Sequence, residues 1–268
     1  AGHRAYEAEA ILNLGATHYR YADSQNALTH FEQARTILHE IGYPATEAGA
    51  WSVIGDVHLM QKRPEEALRH YQQALALARS IHDRKYESNA VRKIGQVYSA
   101  QGKRTAALSQ FTEALRLHRE NGEPMGEAQA LNEMGRLYAE MKQPTAARAR
   151  FAQALAIYRA IGNGAGERAA LFQLARMEQN LGLLAQAQTH IEKAQEVAEA
   201  LRASVASQQL RATYFASIQQ QFEFQIDLLL QRHARQPRAG FDAEAFRISE
   251  AKRSRSLLEM LEIGRAHV

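Results

Sequence analysis

The 268 residues contain no cysteine, so disulfides, thiolate metal sites and a cysteine nucleophile are excluded within this stretch. Proline occurs 5 times and none of the five interrupts a helical pattern. No apolar run approaches the roughly 18 residues that a membrane helix needs, and the N-terminus lacks the charged-then-apolar layout of a secretion signal. A cytoplasmic protein without a membrane partner is therefore expected. Charge of a single sign is also scarce. The 33 basic and 29 acidic side chains are interleaved, leaving a net charge of +4. Such mixing describes solvated helix faces better than a phosphate-binding footprint, so RNA binding stands only as a lesser alternative.

What the sequence has is a period. In rows of forty, Leu14-Gly15, Ile54-Gly55, Ile94-Gly95 and Met134-Gly135 align, with Leu174-Ala175 as a weaker fifth member. Three residues before them stand Ile11, Trp51, Val91, Leu131 and Leu171, and three after the small residue stand His18, His58, Tyr98, Tyr138 and Glu178. These positions form one face of a first helix. A second helix is marked by Ala27, Ala67, Ala107, Ala147 and Ala187, then by Phe31, Tyr71, Phe111, Phe151 and Ile191, then by Ala34, Ala74, Ala114, Ala154 and Ala194. Steps of four and three keep the Ala, aromatic and Ala columns on one side. Two antiparallel helices approach closely only where side chains are small, so the Gly and Ala columns mark contact points and the aromatics fill the space beside them. A single hairpin leaves its apolar face open, and stacking the next hairpin covers it.

The turns keep the same phase. Pro64 and Pro144 are expected to open second helices, where a missing N–H costs nothing, and Pro44 and Pro124 to lie in the links between hairpins. Glu7, Glu47, Glu87, Glu127 and Glu167 recur at the expected start of each first helix, where the dipole favours a carboxylate. The expected architecture is all-α, an α-solenoid of five hairpins over residues 1–203, divided at about 8–47, 48–87, 88–127, 128–167 and 168–203. The fifth repeat, with Ala175, Glu178 and Ile191 in place of Gly, Tyr and Phe, is expected to pack more loosely or differently.

Beyond residue 203 the period stops. Residues 208–235 read as one long helix with Leu210, Tyr214, Phe215, Ile218, Phe222, Phe224, Ile226 and Leu228 to Leu230 apolar. Residues 236–240 break it, and 241–261 return to helix with Phe246, Ile248, Leu257, Leu258 and Leu261 apolar. Residues 204–262 are thus expected to form a connector. The chain starts without Met inside a helical pattern, and Ile263-Gly264-Arg265-Ala266-His267-Val268 matches the translation of a short sequencing adapter. A truncated fragment with a non-native tail at 263–268 is the expectation.

The Leu-Gly-x-x-Tyr, Ala, Phe and Ala columns resemble the tetratricopeptide repeat family, whose usual period of 34 is lengthened here to forty. The resemblance implies a right-handed α-solenoid and a scaffold that binds a protein or peptide, without catalytic residues or cofactors. Three stretches of the connector, Leu201-Arg202 to Ser207, Leu210 to Phe215, and Ala245 to Glu250 continuing through Arg255 to Leu258, resemble bacterial proteins that join such repeats to a caspase-like peptidase of the CHAT family. That implies the regulatory arm of a peptidase whose catalytic domain is not in this sequence, with a freestanding scaffold as the alternative. The family's concave face falls on Asn89, Arg92, Gln96, Gln129, Asn132, Arg136, Gln173 and Arg176. Amides can bond a peptide backbone and guanidiniums can grip carboxylates, so an acidic partner is expected. The eleven His carry no metal-binding spacing. His18 and His58 fall in the tyrosine column, while His30, His70 and His190 share a column expected to be exposed. Gly162 to Gly166 resembles a phosphate loop but falls in turn phase without a preceding strand.

Overall fold

The computed structural model describes the backbone of residues 2–203 and 208–266, and the side chains of 2–203 and 219–254. Among the described residues every regular element is a helix. The repeats form α1 (Gly2–Arg20), α2 (Ser24–Glu40), α3 (Pro44–Met60), α4 (Pro64–Ser80), α5 (Arg84–Ala100), α6 (Arg104–Glu120), α7 (Pro124–Glu140), α8 (Pro144–Ala160), α9 (Gly164–Asn180) and α10 (Leu184–Ala203). After them come α11 (Gln208–Arg235) and α12 (Phe241–Ala266). Two compact units result, Ala1–Leu137 and Tyr138–Val268.

Nine successive turns follow a twenty-residue rhythm, half of the sequence period. Each holds one residue with positive φ, as at Gly42 (70°), Lys62 (60°) and Gly102 (71°). At the second of these, the N–H of Arg63 donates to the His58 carbonyl at 2.9 Å and the N–H of Lys62 donates to Leu59 at 3.0 Å, closing the last turn of α3. The next helix starts one residue later. Asp23, Asp83 and Asn163 cap α2, α5 and α9 with side-chain oxygens. Pro44 and Pro124, expected in the links, are instead the first residues of α3 and α7. A proline already fixed near helical φ belongs there for the same reason as at Pro64 and Pro144. The expected divisions at 47/48 and its equivalents therefore fall one turn inside the first helices. Glu7 likewise lies beyond the first turn of α1, which begins at Gly2.

The column contacts have clear geometry. A Cβ on Gly15, Gly55 or Gly95 would stand 2.6, 2.5 or 2.7 Å from the ring of Phe31, Tyr71 or Phe111. Hydrogen is the only substituent that fits. In the first unit, Ile54 and Val57 of α3 pack on Ala27 and Phe31 of α2, and Ile94 and Val97 of α5 pack on Ala67 and Tyr71 of α4. Both α3 and α5 are thus buried by the second helix before them. Leu14, in the same column as Ile54, is 52% exposed.

In the second unit, the fifth pair is as tightly buried as the others: Ala175 and Ile191 are both fully inside. Packing is not looser in this repeat; it is differently partnered, with Glu178 held by Arg148 and His190. The helices at 208–235 and from 241 form where the sequence places them. α11 lies on the last repeat through Phe224, whose ring meets Phe172 edge-on at 5.5 Å, and its Leu228 and Leu229 are fully buried. Leu210, Tyr214, Phe215, Ile218, Leu257, Leu258 and Leu261 lie outside the described side chains. α12 continues to Ala266, so the helix includes residues 263–266 of the tail expected to be non-native.

Candidate protein-binding face

The first helices present positions 9, 12, 13 and 16 of the period away from the Gly and Leu columns. In the first unit this places Asn89, Arg92 and Gln96 on α5, and Gln129, Asn132 and Arg136 on α7. Gln96 donates to Glu133 at 2.9 Å, and Glu133 also faces Arg136 at 3.5 Å, so the two helices are joined across this ridge. One repeat earlier, Lys93 donates to Asp56 at 2.6 Å, and the Tyr71 hydroxyl donates to the same oxygen at 2.6 Å. Burial, and then the Asp56 charge, push the Tyr71 phenol far above its ordinary value. Asn89 spends one amide hydrogen on the Lys85 carbonyl at 2.9 Å. Arg136 is the open member, with a side chain 58% exposed. Arg92 is not a surface group: only 7% of it is exposed. In the second unit Gln173 is half-buried and Arg176 exposed on α9.

Asp56, Lys93 and Glu133 were absent from the expected face. Their signal in the sequence is a spacing of 37, which joins Asp56 to Lys93 and Gln96 to Glu133. One turn back along a stacked neighbour, three residues short of the period, is where side chains of adjacent first helices meet.

His18 and His58 stand between first and second helices, as the tyrosine column suggested, whereas their partners depart from expectation. The second-helix column expected to be exposed is half-buried. His30 stacks on His18 at 5.2 Å, and His70 stacks on His58 at 4.9 Å and on Trp51 at 5.4 Å. In the fifth repeat, His190 Nδ1 meets the fully buried Glu178 at 2.6 Å, and Arg148 Nε reaches the other oxygen at 2.9 Å. The carboxylate that replaced a tyrosine is thereby neutralised inside the unit. Ser88, Glu123 and His118 also cluster, but the Ser88 hydroxyl and His118 Nδ1 both meet Glu123 Oε2, at 3.0 and 2.7 Å. Serine and histidine do not meet each other, so this is a helix-end lock and not a nucleophile with its base. Among the described residues no three His, Asp or Glu side chains converge as metal ligands. The segment at Gly162–Gly166 is the α8–α9 turn, with Asn163 Oδ1 accepting the Gly166 N–H at 2.9 Å.

A stack of helix pairs with Gly-aromatic contacts, small-residue columns and a polar first-helix ridge defines a helical-repeat interaction protein. The tetratricopeptide repeat profile matches residues 46–120 and 126–200, more than half of the chain, and the chain belongs to this family. Tetratricopeptide repeats serve as protein-protein interaction scaffolds that bind proteins or peptides, and the fold is generally non-catalytic. Similar solved structures include BtubC from P. vanneervenii, with 17% identity, a TM-score of 0.66, and coverage of 90% of this chain and 92% of that one. The apo form of RapI has 17% identity and a TM-score of 0.63, covering 92% of this chain and 98% of its own. A Rap protein complexed with Competence and Sporulation Factor has 15% identity and a TM-score of 0.64, over 93% of this chain and 75% of that one. At these identities the likeness is one of fold. No curated protein matches the sequence significantly. No helix among the described residues is long and apolar enough to cross a membrane.

Proposed function

We propose that this scaffold captures an acidic, extended protein segment on the polar ridge of its first helices. The observation that supports this is the open guanidinium of Arg136 in the first unit, with a side chain 58% exposed. The amides of Asn89, Gln96, Gln129 and Asn132 stand on the same two first helices. Amides accept and donate along a peptide backbone, and the guanidinium selects carboxylates. Gln173 and Arg176 are proposed by themselves as the corresponding contacts of the second unit. The test is capture of acidic peptides from a display library. Arg136→Glu with Arg176→Glu is expected to weaken capture at least about tenfold, the loss of one charge-assisted contact or more. Unchanged capture sinks the reading. Arg92 stays untouched, because reversing a buried charge would unfold the repeat.

The regulatory arm of a CHAT-type peptidase is the second reading, supported by the three connector stretches alone, and a freestanding adaptor fits the fold equally. The downstream reading frame separates them: a His and Cys dyad favours the peptidase arm, and a stop codon favours the adaptor.

A further inference from the structure

At four hairpin links, the last turn of a second helix meets a glutamate in the first turn of the next first helix. Arg79 Nε lies 2.8 Å from Glu87, Arg119 Nε 2.7 Å from Glu127, and Arg159 Nε 2.7 Å from Glu167. The fourth link differs. There the partner of Glu47 is His39, at 3.2 Å, and 73% of that imidazole side chain is exposed. Yet the Glu47 side chain is only 10% exposed, against 21–22% for its three equivalents. The most enclosed carboxylate of the series therefore has the one partner that is not a permanent cation.

Glu47 also opens on free space. A groove of about 400 Å³ runs between α2 and α4 over α3, lined by Arg35, His39, Glu47, Trp51, Gln73 and Leu77. Arg35, the only guanidinium on that wall, lies over the Trp51 ring at 4.6 Å and is already paired with Glu32 at 3.0 Å. Trp51 and Leu77 offer an apolar wall, and Gln73 a polar one. A carboxylate at the end of such a groove matches the fork of an arginine, whose stem can lie on apolar surface while its head is bonded.

We infer that this groove binds an arginine side chain of a partner protein, which takes at Glu47 the place that Arg79, Arg119 and Arg159 fill within the chain. The site uses none of the side chains of the first-helix ridge, so Arg136→Glu should leave it intact. Trp51 is the single tryptophan and reports on the groove directly. Titration of the full chain with N-acetyl-arginine amide is expected to give a saturable change in Trp51 emission. The neutral citrulline analogue should give none. Glu47→Gln removes the carboxylate, and His39→Arg fills the position from within; each should weaken the response at least about tenfold, the scale of one charge-assisted bond. His39→Arg should also raise the melting temperature, which an inert surface change would not do. The inference fails if citrulline matches arginine, if the parent shows no saturable response, or if His39→Arg responds as the parent does. Should Glu47→Gln fail to fold, His39→Arg decides alone.

Discussion

His58 and His70 lie face to face between α3 and α4, and their partial burial holds both imidazoles below their ordinary pKa. His118 is depressed for the same reason, against the pull of Glu123. The sign of the pH effect follows. Above pH about 6.5 the three rings are neutral whether the chain is folded or not, so they have no effect. As pH falls below that value the unfolded chain takes up protons that the folded chain resists, and stability is lost until the lower folded-state values are passed. Urea unfolding at about pH 7.5 and about pH 5.5 should show a lower midpoint at the acid value. Replacing His58 and His70 by the Tyr and Gln that the third repeat carries at Tyr98 and Gln110 should flatten the difference. A midpoint that rises on acidification would contradict the burial of these rings.

At the scale of elements, the Gly and aromatic columns act as a pair. Glycine inside a helix costs about 1 kcal/mol relative to alanine, so its presence at Gly55 and Gly95 needs a compensating contact. The ring of Tyr71 or Phe111 supplies it, at distances no Cβ tolerates. In the last repeat the two columns change together, to Ala175 and the smaller Ile191, and both are fully buried. Gly95→Ala alone should therefore destabilise by about 1–3 kcal/mol through overpacking. Phe111→Ile alone should cost a similar amount, roughly 1–3 kcal/mol, through a partial cavity. The double variant should cost less than the sum by at least about 0.5 kcal/mol, read from denaturant midpoints. Strict additivity would mean that the two columns do not touch in solution. The turns were equally open to reading from the sequence, since Gly42, Gly102, Gly122, Gly162 and Gly182 mark five of them. Ala22, Lys62, His82 and Lys142 adopt the same positive φ without a glycine, and no residue signal announces them.

In the larger assembly of the first unit, α1 is less buried than the first helices that follow it. Leu14 and Tyr6 of α1 are 52% and 76% exposed, whereas Ile54 and Ile94, one and two repeats on, are 0% and 5% exposed. In a stack where each hairpin gains stability from its neighbours, the helix with an open face opens first. Amide hydrogen exchange in the middle of α1 should be at least about tenfold faster than in the middle of α3. Equal protection would show that stability is shared evenly along the stack.

Periodicity determined the helices, their pairing and the identity of the core. In a stack the same few offsets between contacting residues recur, so one repeat's pattern is read several times over and errors cancel. The fate of individual polar side chains was not legible in this way. Arg92 and Glu47 stand at positions that a helical pattern marks as polar, yet the fold buries both. Glu178 looked like a weakened tyrosine and proved to be a neutralised core carboxylate held by Arg148 and His190. Those outcomes depend on which neighbours, from 8 to 30 residues away for Glu47 and Glu178, close over a position and which charges come with them. Only the tertiary structure sets that, because enclosure and pairing are properties of a volume, and a sequence pattern records only a face.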